Sequence, residues 1–370
     1  MKRLVITLEY PPQRGGIASY VYNFLLHSNP NEFILYAPRT IGDVAFDALQ
    51  PWKTLRAEPY VRWWWPHWLR LFFQVRKIVQ AEQITELYIH QALPVGYVGW
   101  LIKKLFKIPY TLFLHGTDVE MGTKKLLKRF NLRVITRNAS KLVTNSQFLK
   151  SKILERLNTT VPTVVVYPCP GEQFFNVIPK ETLDAHRHQL ALDGKKVILS
   201  VARLVEGKGQ IHLLGMLSEI SRTIPNIVLL CIGDGPKRNE LREFVQKNSL
   251  QNMVRFLGEL PYEELPLYYQ LSDVFVLLTH PDQDAEEGWG TVFLEAAASG
   301  LPVVAGRAGG TPEAVEHMRT GIVVDVYKEK VVVETIVELL KNTKFAHEMG
   351  EKGKERVQQE FIWEKQIAKL

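Results

Sequence analysis

Short apolar runs rich in Val, Ile and Leu recur along this chain, and stretches of helical period separate them. In the first half they fall at 4–8, 87–90, 110–114, 142–145 and 164–167. In the second they fall at 197–202, 227–232, 254–257, 274–278, 303–305 and 322–324. Short runs without polar alternation fit strands covered on both faces. Strands that alternate with helices build parallel sheets, so the fold class is α/β. With 370 residues the chain is long enough for two such domains. Tyr167-Pro-Cys-Pro-Gly171 breaks either kind of element and marks the junction, which divides 1–170 from 171–356. Open sheets of this type bind ligands at the carboxyl ends of their strands, and two Rossmann-like, doubly wound domains facing each other make a cleft.

Charge divides the chain in the same place. Residues 1–175 carry 23 Lys+Arg against 11 Asp+Glu, whereas the rest carries 23 against 28. Six of the eight Trp also lie in the first half. A basic, Trp-rich half beside an acidic one points to an anionic partner for one domain only. No run of about 18 apolar residues is present, so no membrane span is expected. The opening Met-Lys-Arg-Leu-Val-Ile-Thr-Leu reads as a strand, too short and too soon broken by Glu9 for a signal peptide. Cys169 and Cys231, the only cysteines, read as buried thiols and cannot build a disulfide framework or a cysteine zinc site.

The loops expected at the strand ends carry the chemistry. Glu287-Gly-Trp-Gly-Thr-Val-Phe-Leu-Glu295 sets two carboxylates eight positions apart. Glu287 lies in a loop broken by Gly288 and Gly290. Glu295 lies in an uncharged segment that reads as a helix apolar on all sides, hence buried. A buried carboxylate is costly unless something binds it. A ribose or sugar diol would do so with two hydroxyl hydrogen bonds; a neighbouring Arg or backbone donors would serve as well. Gly15-Gly16, at a helix start, lets backbone N–H groups approach an anion. It lacks the pattern of a dinucleotide fingerprint or a P-loop, and an ordinary glycine turn reads the same. His115-Gly-Thr-Asp118 ends a strand, where His115 can donate to a sugar hydroxyl; a core His with a capping Asp is the alternative. Ala202-Arg203-Leu-Val-Glu-Gly-Lys208-Gly209 offers a diphosphate the guanidinium fork of Arg203 and the compact charge of Lys208, or else a solvated surface pair. Gly233-Asp-Gly235-Pro and Gly309-Gly-Thr-Pro-Glu313 permit close backbone approach. Asp282-Gln-Asp284 could hold a divalent ion, but Arg203 and Lys208 already supply the positive charge, so it reads as an acidic loop.

The stretch 60–77 mixes four Trp and two Phe with Arg62, Arg70, Arg76 and Lys77. Trp favours a membrane interface, and cations favour anionic head groups. Over 66–79 a helix would place Arg70, Gln74 and Lys77 on one face and Leu69, Phe72, Phe73 and Val79 opposite, with Arg76 snorkelling from the apolar side. A core helix is the alternative. Nucleic acid is not expected, since no module motif is present and the second half is acidic.

In this order the Gly-Gly turn, His-Gly-x-Asp, Ala-Arg-Leu with its later Lys, Gly-x-Gly-Pro, the paired Glu and Gly-Gly-x-Pro-Glu resemble the retaining GT-B glycosyltransferases of family 4, over essentially the whole chain. The passage 287–315 looks most like bacterial phosphatidylinositol-mannoside mannosyltransferases and related envelope-glycan enzymes. Glu206-Gly207-Lys208 departs from the commoner Lys-Lys. The resemblance implies that Arg203 and Lys208 hold the donor diphosphate, Glu295 the ribose, Glu287 the sugar hydroxyls, and His115 the sugar near its reacting carbon. It also implies that the Gly16 amide faces the diphosphate and that Gly233, Gly235 and the backbone near Leu260 line the nucleoside pocket. Gly15, Gly288, Gly290 and Thr291 join this donor-binding set. A C-terminal helix near 357–370 would return to the first domain.

The expectation is therefore a retaining hexosyltransferase, using mannose from GDP-mannose and a lipid-linked or glycan acceptor. It needs no cofactor and no divalent metal, and it sits peripherally on the anionic, cytoplasmic face of the cell membrane. Arg14, Arg62, Trp63, Trp64, Trp68 and Arg70 would face acceptor or membrane. The alternatives are transfer from a UDP-sugar to a soluble sugar or sugar phosphate, and an inactive nucleotide-sugar-binding protein.

Overall fold

The computed structural model describes residues 1–13, 15–60, 65–116, 119, 122, 126–281 and 289–370. Two compact units result: Met1–Pro168 with Trp363–Leu370, and Cys169–Ile362. The partition expected from sequence thus becomes one in which helix Thr343–Glu360 belongs wholly to the second unit and a short helix, Trp363–Ile367, to the first. The reason is local. Ala346, Met349, Gly350, Gly353 and Val357 form a buried stripe along the longer helix, and that stripe packs on helix Thr291–Ala298 of the same unit.

The first unit holds a seven-stranded sheet. Its strands are β1 (Arg3–Ile6), β2 (Phe33–Ala37), β3 (Lys53–Arg56), β4 (Glu86–His90), β5 (Tyr110–Leu114), β6 (Lys141–Thr144) and β7 (Thr163–Val165). They run in the order β3-β2-β1-β4-β5-β6-β7, all parallel. The sequence reading lacks β2 and β3. Phe33-Ile-Leu-Tyr-Ala37 is fully buried but squeezed between Pro30 and Pro38, and Lys53-Thr-Leu-Arg56 is an edge strand with a polar residue at each end.

Helix Leu69–Ala81 forms because apolar residues recur at helical spacing, and it turns Leu71, Phe72, Val75 and Val79 into the core. Each such side chain contributes roughly 1.5–3 kcal/mol when fully buried. Where it is described, the Trp-rich stretch is thus partly structural, with Trp68 and Phe72 on the core and Trp65 exposed. Trp68 packs on this core and stacks on Tyr97 with ring centroids 5.3 Å apart. Gln74 accepts from the Tyr36 hydroxyl at 2.6 Å. Phe73, expected on the apolar face, is half exposed. Arg76 is exposed, its guanidinium 5.5 Å from the Phe106 ring centroid. Arg70 is exposed, and Arg62, Trp63 and Trp64 lie outside the described residues. No described helix is long and apolar enough to cross a membrane.

The second unit holds six parallel strands: β8 (Lys196–Val201), β9 (Ile227–Ile232), β10 (Val254–Gly258), β11 (Val274–Leu277), β12 (Val303–Gly306) and β13 (Ile322–Val324). Their order is β10-β9-β8-β11-β12-β13. Each of the six apolar runs read in the second half lies on one of these strands. Cys169 and Cys231 are buried free thiols, and burial pushes the Cys231 thiol up to about 12. Strand order reverses between β1 and β4 in one sheet and between β8 and β11 in the other. Sheets of this kind bind ligands at such switch points.

Candidate active site

In the second unit the loops leaving β8, β9, β10 and β11 lock onto one another. The carbonyl of Gly207 accepts from the His280 N–H at 3.0 Å, which fastens the Arg203–Gly209 loop to the end of β11. Gly209 has φ +70°, and a Cβ there would strike the Leu278 carbonyl oxygen, so only glycine lets the loop lie this close. Gly233, with φ +125°, lies equally close to the Ala202 carbonyl, and its N–H donates to Gly258 at 2.7 Å. Leu204 donates to the Asp234 carbonyl and accepts from the Lys237 N–H, each at 3.0 Å. Gly235 donates to the Asp234 carboxylate at 2.7 Å, and Arg238 pairs with that carboxylate at 2.6 Å. Leu260, just beyond β10, is half-buried.

On this interlocked surface Arg203 is exposed and has no ion-pair partner among the described residues, while Lys208 is half-buried. Glu206, between them, is taken by Lys237 at 3.0 Å, which holds its carboxyl below the usual range. Beside β11, Thr279 Oγ1 donates to the Gly306 carbonyl at 3.0 Å and lies 3.3 Å from Thr311 Oγ1. That ties the end of β11 to the Gly309-Gly310 turn.

Glu295 sits in helix Thr291–Ala298, which Gly290 opens at φ +83°. It is 4% exposed. Among the described residues no Arg and no backbone donor bonds it. The Tyr269 hydroxyl donates to Oε2 at 2.9 Å, and the Tyr262 hydroxyl lies near enough to favour the same charge. Burial outweighs both hydroxyls and raises the Glu295 carboxyl to about 7. The same burial, with the adjacent carboxylate, pushes both tyrosines well above 10. A carboxylate has about four acceptor positions, so two tyrosines leave room for a diol. Glu287 and Gly288 lie outside the described residues, as do Asp282, Gln283 and Asp284.

In the first unit, Gly15 and Gly16 open helix Gly16–Leu26, and nothing lies within 4 Å of where a Cβ on Gly16 would stand. The preceding loop is pinned by Gln91, which accepts from the Leu8 N–H at 2.9 Å and donates to Glu9 Oε1 at 3.0 Å. Arg14 lies outside the described residues. His115, just past β5, is held by His90 at the end of β4: Nε2 and Nδ1 are 3.2 Å apart and the rings stack. Tyr20 packs edge-on against His115 at 5.1 Å. Burial lowers the His115 imidazole to about 4 and holds His90 well below its ordinary value. Both are neutral near pH 7, so one donates to the other. Thr117 and Asp118 lie outside the described residues.

Residues 14–169 match the family described as Glycosyltransferase Family 4, and residues 183–356 match Glycosyl transferases group 1. The chain belongs to the GT-B glycosyltransferases of family 4. This glycosyltransferase is 29% identical to the GDP-mannose-dependent alpha-(1-6)-phosphatidylinositol monomannoside mannosyltransferase of Mycobacterium tuberculosis, over 99% of this chain and 96% of that protein. It is 25% identical to the N-acetyl-alpha-D-glucosaminyl L-malate synthase of Bacillus anthracis, over 82% of this chain and 77% of that one. The fold matches that of the Anabaena HepE protein solved with UDP, at a TM-score of 0.83 and 20% identity over 100% and 99% of the two chains.

Sequence reasoning about the glycosyltransferase missed Tyr262 and Tyr269, the partners of Glu295, and His90, the partner of His115. A signal existed for each. The tyrosines stand seven apart in a helical stretch, on one face. His90 ends a strand just as His115 follows one.

Proposed function

We propose that this glycosyltransferase moves a hexose, mannose from GDP-mannose, to a lipid-linked acceptor with retention at the anomeric carbon. One observation carries the reading: an exposed Arg203, with no ion-pair partner among the described residues and with Lys208 in the same loop, sits on locked glycine loops at the switch point of the second sheet. Departure of a nucleoside diphosphate develops negative charge on the leaving phosphate. Fixed cations and N–H groups stabilise that charge without reorganising. Arg203 and Lys208 take the diphosphate, Glu295 the ribose hydroxyls and Glu287 the sugar. Gly233, Gly235 and Leu260 line the nucleoside pocket; for His115, in the first unit, the family resemblance implies a role at the transferred sugar.

In the reaction, the anomeric carbon–phosphate oxygen bond breaks as the acceptor hydroxyl oxygen bonds to the same face of that carbon. The acceptor proton passes to the departing phosphate oxygen. Mannose and a lipid-linked acceptor are favoured because the relatives matched over nearly the whole chain are named as GDP-mannose-dependent phosphatidylinositol-mannoside enzymes. The Bacillus relative, named for an L-malate product, favours a soluble acceptor as the second reading.

Calorimetric titration with GDP, UDP and ADP in EDTA, followed by turnover of GDP-mannose and UDP-glucose, tests the proposal. Selective GDP binding lost in Arg203→Ala supports it. Preference for UDP and UDP-glucose moves it to the second reading, and no nucleotide binding at all removes it.

A further inference from the structure

His90, the last residue of β4, is wholly buried in aromatic surroundings. Its ring stacks on Phe113 with centroids 4.2 Å apart, and Tyr20 and Phe24 tilt against it at 5.9 and 6.2 Å. Among the described residues the imidazole makes one hydrogen bond, between Nδ1 and His115 Nε2 at 3.2 Å, and its Nε2 is buried without a partner. An apolar side chain would fill this cage at less cost, because a buried polar atom without a partner is expensive. The cage does not call for a histidine; the bond to His115 does. Strand pairing sets up that bond. Residue 90 stands opposite Phe113 in the parallel register, and His115 follows two positions on, toward the same face of the sheet. His115 is half-buried, whereas His90 has no surface in solvent. His90 therefore reaches a substrate only through its neighbour.

The direction of the bond follows from what each arrangement leaves over. If His115 Nε2–H donated to His90 Nδ1, the proton of His90 would sit on Nε2 as a buried N–H with no acceptor. If His90 Nδ1–H donates to His115 Nε2, His90 keeps only a bare lone pair in the cage. Buried N–H groups without an acceptor are rarer in folded proteins than acceptors left short, so the second arrangement is the one that fits. It places the proton of His115 on Nδ1, because the bond at one ring nitrogen decides which nitrogen carries the hydrogen. A carboxylate in the place of His90 could only accept. It would move the His115 proton to Nε2 and favour the imidazolium. An imidazole that burial keeps uncharged can donate instead, and it leaves His115 neutral.

We propose that His90 is a positioning residue for His115: its Nδ1–H holds the neighbouring imidazole in one orientation and in the Nδ1–H tautomer, so that His115 meets a hydroxyl oxygen of the transferred sugar as a hydrogen-bond donor. The role at the sugar rests on the reading of His115 given above; the tautomer does not. Tyr20 completes the support. Its ring lies edge-on to His115 at 5.1 Å, and its hydroxyl donates to the Val166 carbonyl at 3.3 Å. The imidazole of His115 is thus packed from one side and hydrogen-bonded from another.

The test joins a spectroscopic readout to a kinetic one, both on the full chain. Long-range proton–nitrogen correlation spectra of protein labelled with nitrogen-15 histidine report the tautomer of each ring, and His90→Phe and His115→Phe identify the two rings by the signals they remove. At pH 7 the wild type shows the proton of both rings on Nδ1. In His90→Phe, which fills the cage without the bond, His115 leaves that single form. The kinetic readout is release of the nucleotide from GDP-mannose or UDP-glucose, whichever the protein binds, with water in the acceptor's place. His90→Phe lowers kcat by about tenfold, one hydrogen bond's worth, and leaves KM unchanged. His90→Asn, whose amide N–H stands where Nδ1–H stood, recovers most of the loss. Wild-type spectra with the His115 proton on Nε2 overturn the inference, and they need no variant to fold. So does a folded His90→Phe with wild-type kcat, or one that loses nucleotide binding and turnover together, since His90 then only supports the fold. Undiminished release by His115→Phe also overturns it by removing the role of His115 at the sugar, and the wild-type spectrum tells that failure apart from a wrong tautomer.

Discussion

Replacing Glu295 by Gln separates the cost of a buried charge from its use. The Glu295 carboxyl has an ordinary value of 4.5 and is raised to about 7 by burial, with the Tyr269 and Tyr262 hydroxyls opposing the shift. Its folded value lies above its unfolded one. The contribution of this group to stability is therefore complete below 4.5 and is lost as pH climbs through 7. A shift of that size corresponds to about 3 kcal/mol at high pH, of which about 2.5 kcal/mol develops between pH 5 and pH 8. Gln keeps the shape and an acceptor for the Tyr269 hydroxyl but carries no charge. Urea unfolding of both proteins at pH 5 and pH 8, followed by fluorescence and circular dichroism, gives the comparison. The gap in stability between Glu295→Gln and wild type should move in favour of the variant by about 2 kcal/mol from pH 5 to pH 8. The variant should at the same time bind GDP more weakly. Parallel pH profiles for the two proteins would refute the reasoning, because they would mean that Glu295 ionises in the fold as freely as in water.

A diol on Glu295 stabilises its charged form, so donor binding at pH 6.5 should release a proton; calorimetry in two buffers of different ionisation enthalpy detects it. Arg203→Ala should weaken GDP by roughly 10- to 100-fold, the worth of a charged hydrogen bond, and leave guanosine unaffected. Gly209→Ala should cost at least about 1–2 kcal/mol for its left-handed backbone alone, and should lower GDP affinity further as the loop lifts from Leu278, read by melting and titration together. Trp68→Ser should destabilise the fold by about 2 kcal/mol through the lost stack on Tyr97, read by urea unfolding.

The sequence makes strands legible where β-branched residues cluster between helical stretches, as at 197–202 and 227–232. It hides them where burial comes from neighbours, as at the proline-bounded 33–37, or where an edge leaves one side polar, as at 53–56. The burial of Glu295 follows from the uncharged segment around it. Its tyrosine partners do not, because Tyr262 and Tyr269 reach it only after the sheet has brought 262–270 and 291–298 together. Composition alone does not say which apolar side chains face out. Of the described aromatics at 65–73, Phe72 is buried and Trp68 packs on the core, whereas Trp65 and Phe73 are exposed, as are Leu126, Leu127 and Phe130 in a less aromatic stretch. Direction depends on which side of a helix finds the core, and a list of residue types does not record it.

The first unit is completed by a segment made late. Trp363 is buried against Tyr20, Gln366 accepts from the Tyr167 N–H at 3.1 Å, and Lys141 donates to the carbonyl of Leu370. A nascent polypeptide presents 1–168 to solvent before all of 169–362 has been synthesised, and until then the rings around Tyr20 lack their cover. The second unit, by contrast, is a continuous stretch that can close as it emerges. During translation the earlier unit therefore waits with an open seam while the later one matures, and it is in that interval that a chaperone would find this chain most in need of help.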